Sequence, residues 1–175
     1  WSDRIRTFSD AAAVSAGCRF DATIANIYTS AIPALFCHSK GDFAGKPLDL
    51  LGWEKRVIED IFGWLRPDGR RRFRKAYMEV PKKNGKSTLM AAIAILMLLL
   101  DGEGAPEVYI GAVDRDQASI VYGECERMVE QSPWLSKNLD IVKSKKTIST
   151  KRGFGTLKAL SADVGNKHGF NTHGV

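Results

Sequence analysis

Twelve consecutive apolar residues, Leu89–Leu100, constrain this chain more than any other feature of it. The run is too short to cross a bilayer, which takes about 20 residues. It contains no Gly or Pro, and it is apolar all round, so in a protein that folds in water it predicts a helix buried on several sides. The helix is expected to span Lys86 to Leu100 and to stop before Asp101-Gly102. Surrounding such a helix takes a sizeable core. The 175 residues, 44% hydrophobic and 26% charged, are enough for one core and a small appendage.

The flanking patterns say what surrounds it. Ala76–Val80 reads as a short strand running into residues 81–88, and Glu107–Val113 as a second strand. Asp114 and Gln117 form a capping-box pattern ahead of an amphipathic helix carrying Ala118, Val121, Tyr122, Cys125, Met128 and Val129, which stops near Ser132-Pro133. Strand, helix, strand, helix is the order of a parallel sheet with helical crossovers. Beyond Leu139, three short strands are expected at Ile141-Val142, Thr147–Ser149 and Thr156–Leu160. Toward the N-terminus, Asp21 caps a helix with Ile24, Ile27, Tyr28, Ala31 and Leu35 on one face, which Pro33 kinks or ends early. A Gly- and Pro-containing loop follows to Leu51, then a helix with Trp53, Val57, Ile58, Ile61, Phe62 and Leu65 in register. The fold class is therefore α/β, a parallel sheet flanked by helices. Residues 1–50 are expected as a helical appendage with its loop, and residues 51–175 as the main domain.

The segment between the first strand and the buried helix carries the chemistry. Pro81-Lys82-Lys83-Asn84-Gly85-Lys86-Ser87-Thr88 opens a long helix, and a helix start offers unpaired N–H groups and the positive end of a dipole to a phosphate. Gly85 permits a backbone conformation and a close approach that a side chain obstructs. Lys86 would set its ammonium against the β- and γ-phosphates of a nucleotide, and the Ser87 hydroxyl would join the shell of a bridging magnesium ion. One departure from the usual phosphate-binding loop stands out: the position five before Gly85, normally Gly, is Val80. The leading reading of this loop is an ATPase; a P-loop kinase or small-molecule phosphotransferase is its rival, and a module that merely docks nucleotide is a third possibility.

Charge and cysteine content narrow the setting. With 26 basic and 20 acidic residues the net charge is +6, which suggests an anionic partner, nucleic acid foremost. The dense basic segment Arg66–Lys75 is a candidate for DNA phosphate or an ordinary solvated loop. Cys18, Cys37 and Cys125 are odd in number and widely spaced, which predicts neither a disulfide framework nor a zinc site and points to a reducing cytoplasm. The N-terminus has no signal pattern, so neither secretion nor membrane insertion is expected.

With this loop in view, the sequence resembles the large terminase subunit of tailed bacteriophages. The resemblance is carried by Val80–Thr88, whose Pro and paired basic residues set it apart from other phosphate-binding loops. It continues in Gly45-Lys46-Pro47-Leu48-Asp49 ahead of Gly52-Trp53, Arg71-Arg72-Phe73-Arg74, Asp101-Gly102-Glu103, Gln117-Ala118 and Leu160-Ser161-Ala162-Asp163. It implies a P-loop NTPase domain using ATP and magnesium to move double-stranded DNA, irrespective of sequence, into a procapsid. It also implies a small terminase subunit and the portal as partners, a homo-oligomeric motor, and work in the cytoplasm of a bacterial host. The family usually has Arg at the position of Lys82, acting on the γ-phosphate; Lys keeps the charge without the bidentate fork, so Lys83 or a neighbouring subunit is an alternative source of that charge. At Trp53-Glu54 the family commonly has Trp-Gln, with the Gln read as an adenine contact; a Glu can only accept hydrogen bonds, and a plain exposed helix residue is the other reading of Glu54. A strand ending in Asp-Glu and a nuclease domain are implied beyond Val175, so these 175 residues alone are expected to bind nucleotide weakly and to hydrolyse it negligibly.

Other candidates point to no site. His168 and His173 lie five apart with no third ligand nearby, and read as solvated or loop-packing residues. Asp163 and Gly165–Gly169 suggest a mobile loop facing DNA or a neighbouring subunit. Asp114 and Asp116 sit just past a strand's carboxyl end, where α/β sheets bind ligands, but capping accounts for Asp114 and neither is assigned a role; Trp1, Trp64 and Trp134 read as packing or terminal residues.

Overall fold

The computed structural model describes residues 2–112, 115–160 and 172–175. The chain packs as two units, Trp1–Pro33 with Asp49–Val80, and Ala34–Leu48 with Pro81–Val175. Residues from both sides of position 50 therefore fall in each unit.

In the first unit, α1 (Phe8–Ser15) starts on a reciprocal cap: Thr7 accepts from the Asp10 amide, and Asp10 accepts from the Thr7 amide. A two-residue ribbon pairs β1 (Arg19–Phe20) antiparallel with β2 (Trp64–Leu65). α2 (Ala22–Leu35) begins where Asp21 Oδ1 accepts from the amides of Thr23 and Ile24, both at 3.1 Å, as its sequence predicts. Pro33 lies inside α2, which ends two residues later. α3 (Gly52–Gly63) turns Ile58 and Phe62 inward, and Phe62 stacks on Tyr28 at 3.8 Å. Gly63 is the last residue of that helix, and nothing larger fits there: a Cβ would lie 2.6 Å from the Phe20 ring and 3.0 Å from the Ala25 Cβ.

The basic segment is largely built into this unit. Arg72 donates to Asp10 Oδ1 at 2.7 Å and lies over the rings of Trp64 and Phe73, at 4.9 and 4.6 Å from their centroids. Arg71 lies over Phe62, and Arg66 pairs with Asp68 at 2.6 Å. Arg70, Arg74 and Lys75 remain exposed. Burial alone would push the Asp10 carboxyl up. The hydrogen bonds from Arg72, Thr7 and the Arg6 amide outweigh burial and hold it at about 2, below the ordinary 3.8. A depressed folded value means that the pair stabilises the unit above the ordinary carboxylate range and loses that contribution as pH falls through about 2. Arg72→Ala is expected to cost about 2–3 kcal/mol at neutral pH, through a charged hydrogen bond and two ring contacts. Urea midpoints measured at about pH 5 and about pH 2.5 should show the mutant with a smaller loss on acidification than the wild type.

Ala76–Val80 does not form the expected strand. A strand exists only where a neighbour completes its ladder, and these residues find no ladder partner among the described residues; Tyr77 is 90% exposed.

In the second unit, α4 spans Lys86–Leu100, the range its apolar run predicts, with Ile95, Leu96 and Ala91 fully buried. It packs on α5 (Arg115–Gln131), and both helices lie against β3 (Glu107–Gly111) and β6 (Thr156–Leu160). The sheet adds β4 (Leu139–Val142), β5 (Thr147–Thr150) and β7 (Thr172–Gly174), in the order β4-β5-β6-β3-β7. β3 runs parallel to β6 and β7, while β4, β5 and β6 are antiparallel neighbours, so the parallel sheet carries an antiparallel extension. Ser132-Pro133 marks more than a stop: Ser132 caps, and Pro133 begins, a further short helix, α6 (Pro133–Asn138). Cys125 fills the α4–α5 contact, its thiol pushed up to about 12 by burial. No helix is long and apolar enough to cross a membrane.

Candidate functional site: the loop that opens the buried helix

The direction of α4 relative to the strands decides where its first turn points. Near the C-terminal end of α4, Leu98 lies 3.0 Å from the position of a Cβ on Gly155, one residue before β6, and Pro106, one residue before β3, lies 3.1 Å from it. Asp101, the cap of α4, meets His173 of β7 at 2.5 Å. The end of α4 thus sits over the beginnings of β6, β3 and β7, so the helix runs against the strands. Its first turn lies toward the strands' carboxyl ends, where open α/β sheets bind their ligands. A 15-residue helix is about 22 Å long and a five-residue strand about 17 Å, so the start of α4 reaches past the sheet edge.

That first turn is laid out for an anion. Gly85 is the N-cap, with φ 70° and no side chain to satisfy the helix's first amides. Lys83 also has φ 70°, so two left-handed residues flank Asn84. The Asn84 amide closes the loop on the Pro81 carbonyl at 3.3 Å. Alternation of this kind turns successive N–H groups toward one concavity. Lys82, Lys83 and Lys86 are exposed, with no carboxylate partner among the described residues, and Ser87 and Thr88 are half-buried at the same turn. The structure therefore gathers Pro81, Lys82, Lys83, Asn84, Gly85, Lys86, Ser87 and Thr88 at one helix start.

Trp53 and Glu54 belong to the other unit, on the first turn of α3. Glu54 is buried rather than exposed, and its Oε2 accepts from the Leu51 amide at 2.8 Å, the Glu half of a capping box whose N-cap is apolar. Trp53 is half-buried.

The matches to known proteins bear on this same stretch. The model of the family described as "Terminase large subunit, ATPase domain" matches residues 52–173, loop included. The chain belongs to that family. It is 31% identical over 134 residues to the terminase large subunit of Enterobacteria phage HK97, covering 75% of this chain and 25% of that protein. Its structure is similar to the crystal structure of the HK97 bacteriophage large terminase, with a TM-score of 0.71 and 26% identity over 85% of this chain and 29% of that one. The chain thus spans about a quarter of the length of the relatives it matches. The α/β fold is that of the family's ATPase domain, and the kinase alternative is not favoured.

Two features of this terminase domain were missed in the sequence. His173, read as solvated or loop-packing, is largely buried against Asp101, 72 residues away. Glu124, buried on α5, accepts from Ser39 Oγ and from Arg127 at 2.6 Å, tying the 34–48 segment to α5. No local pattern announces either pairing. Among the described residues no group of three His, Cys, Asp or Glu side chains forms a metal cluster. His168, Asp163, Asp114 and the Asp116 side chain lie outside the described residues.

Proposed function

We propose that this chain is the nucleotide-handling part of a viral DNA-packaging motor, in which ATP hydrolysis drives double-stranded DNA into a procapsid. The observation that carries the reading is the placement of Gly85-Lys86-Ser87 on an exposed helix start at the ligand-binding edge of the sheet, in a chain of the terminase ATPase family. In this reading Gly85 and the amides after it cradle the terminal phosphates, with Lys83 and Asn84 shaping the loop. Lys86 places a point charge between the β- and γ-phosphates, and Lys82 offers a second near the γ-phosphate.

Magnesium fits this turn only in company. Ser87 supplies one hydroxyl and residues 80–88 contain no carboxylate, whereas the ion takes about six oxygen ligands. It would arrive with the triphosphate, held by Ser87, phosphate oxygens and water, and when bound would neutralise developing charge on the phosphates. Because the loop offers no group to activate water, hydrolysis is proposed for the complete large subunit, with little turnover by these 175 residues alone. Binding to DNA would be independent of sequence and in the cytoplasm of a bacterial host. The small subunit, the portal and further copies of the large subunit would complete the motor.

The test is nucleotide binding by a full-length large subunit carrying this sequence. ATP at about 100 times its Kd, with magnesium, should raise the melting temperature by roughly 5–10 °C, and ATP with EDTA should raise it much less. A melting temperature indifferent to magnesium-ATP at millimolar concentrations would remove the loop from the nucleotide site.

A further inference from the structure

The turn between β4 and β5 carries positive charge that is only partly paired among the described residues. Of its three lysines, Lys143 is paired with Glu126 and Glu130 of α5, at 3.3 and 2.8 Å. Lys145 and Lys146 have no acidic partner among the described residues. Lys146 Nζ instead donates to Ser119 Oγ at 2.5 Å. Lys146 also has φ 46°, a left-handed conformation disfavoured for any residue with a Cβ. Its carbonyl is held in place by the Ala159 amide at 3.3 Å. A glycine would adopt this turn more easily, yet the position carries an ammonium.

The two lysines border a cavity of about 130 Å³ formed by Ala118 and Ser119 of α5, Ser144, Lys145 and Lys146 of the turn, and the end of β6 at Ala159. Among the described residues, the polar side chains that line it are two lysines and two serines, with no carboxylate, a donor-rich set suited to an anion. At about 30 Å³ per water the space holds about four waters, or one tetrahedral oxyanion with part of its hydration. The cavity opens at the carboxyl end of β6, on the sheet edge that also receives residues 81–88, but α5 and the β4–β5 turn build it, and α4 takes no part. Lysines at such a place are point charges for a phosphate and carry no base preference.

We infer that this cavity seats one phosphate group, and that its source is the backbone of duplex DNA lying across the carboxyl edge of the sheet. The DNA source rests on the packaging function proposed above; the phosphate seat does not. The variant that tests it is Lys145→Ala combined with Lys146→Gly, because glycine keeps the left-handed turn while the ammonium is lost. An unchanged melting curve is the control for folding. Two measurements are compared between wild type and variant. One is the shift of the Ala118 and Ser119 backbone amide signals on titration with inorganic phosphate. The other is the anisotropy of a labelled random-sequence duplex over a series of salt concentrations. The wild type should show the amide shifts and the variant should lose them. The slope of log K against log salt should become shallower by about one in the variant, the loss of one phosphate contact. Lost amide shifts with an unchanged DNA slope would uphold the phosphate seat and overturn DNA as its source. Amide signals that ignore phosphate in the wild type, or shift equally in both proteins, would overturn the site. Neither measurement involves ATP or α4, so a failed nucleotide-binding test would leave this result standing on its own.

Discussion

In a full-length large subunit, Lys86→Ala should lower ATP turnover by at least roughly 10²–10³-fold, the loss expected when one preorganised charge is withdrawn from the reacting phosphates. The size of the effect follows from where the ammonium sits. Lys86 is the first residue of α4, exposed, with no carboxylate competing for it among the described residues, so in the folded protein its charge is uncommitted until an anion arrives. For the same reason the substitution should leave folding nearly untouched, within about 0.5 kcal/mol, as surface changes away from caps and pairs usually do. Steady-state phosphate release read beside a urea denaturation curve checks both halves at once. Turnover that survives in Lys86→Ala would remove the lysine, and with it the loop, from the chemistry. Loss of turnover together with loss of structure would mean that Lys86 holds the fold rather than the nucleotide.

What could be read from the residues alone divides by distance along the chain. α4 was legible to the residue because twelve apolar neighbours admit one solution, and Asp21 was legible as a cap because it bonds amides two and three residues on. β4, β5 and β6 were legible because each is a short run bounded by turn residues. The part Arg72 plays was hidden, since its carboxylate partner is 62 residues earlier, and a basic run looks the same whether it meets DNA or its own aromatic rings. The antiparallel side of the sheet was hidden too: strand length and composition do not say which edge a strand joins. Ala76–Val80 shows the opposite failure. Its pattern suits a strand, but strand formation is a property of two segments, and the pattern describes one. At the candidate site, the loop could be located by sequence, whereas its place at the carboxyl edge follows only from the contacts at the far end of α4, Leu98 with Gly155 and Asp101 with His173.

Those far contacts give the second large effect. Leu96 is fully buried in the C-terminal half of α4, between the phosphate loop at one end and the Asp101–His173 pair at the other. Leu96→Ala leaves a cavity in a helix that packs on α5 and the sheet at once, so neither neighbour can close it without leaving the other. The cost should fall at about 2–5 kcal/mol, which for a domain of this size lowers the melting temperature by roughly 5–15 °C. Unlike Lys86→Ala, this change removes no group from the loop. Below its melting temperature the mutant should therefore hydrolyse ATP at a rate per folded molecule within a few-fold of the wild type, with the deficit appearing in the folded fraction alone. If turnover per folded molecule instead falls as far as in Lys86→Ala, then packing in the C-terminal half of α4 sets the geometry of its first turn. The helix would then be part of the catalytic apparatus along its length, rather than a rigid post that carries a loop.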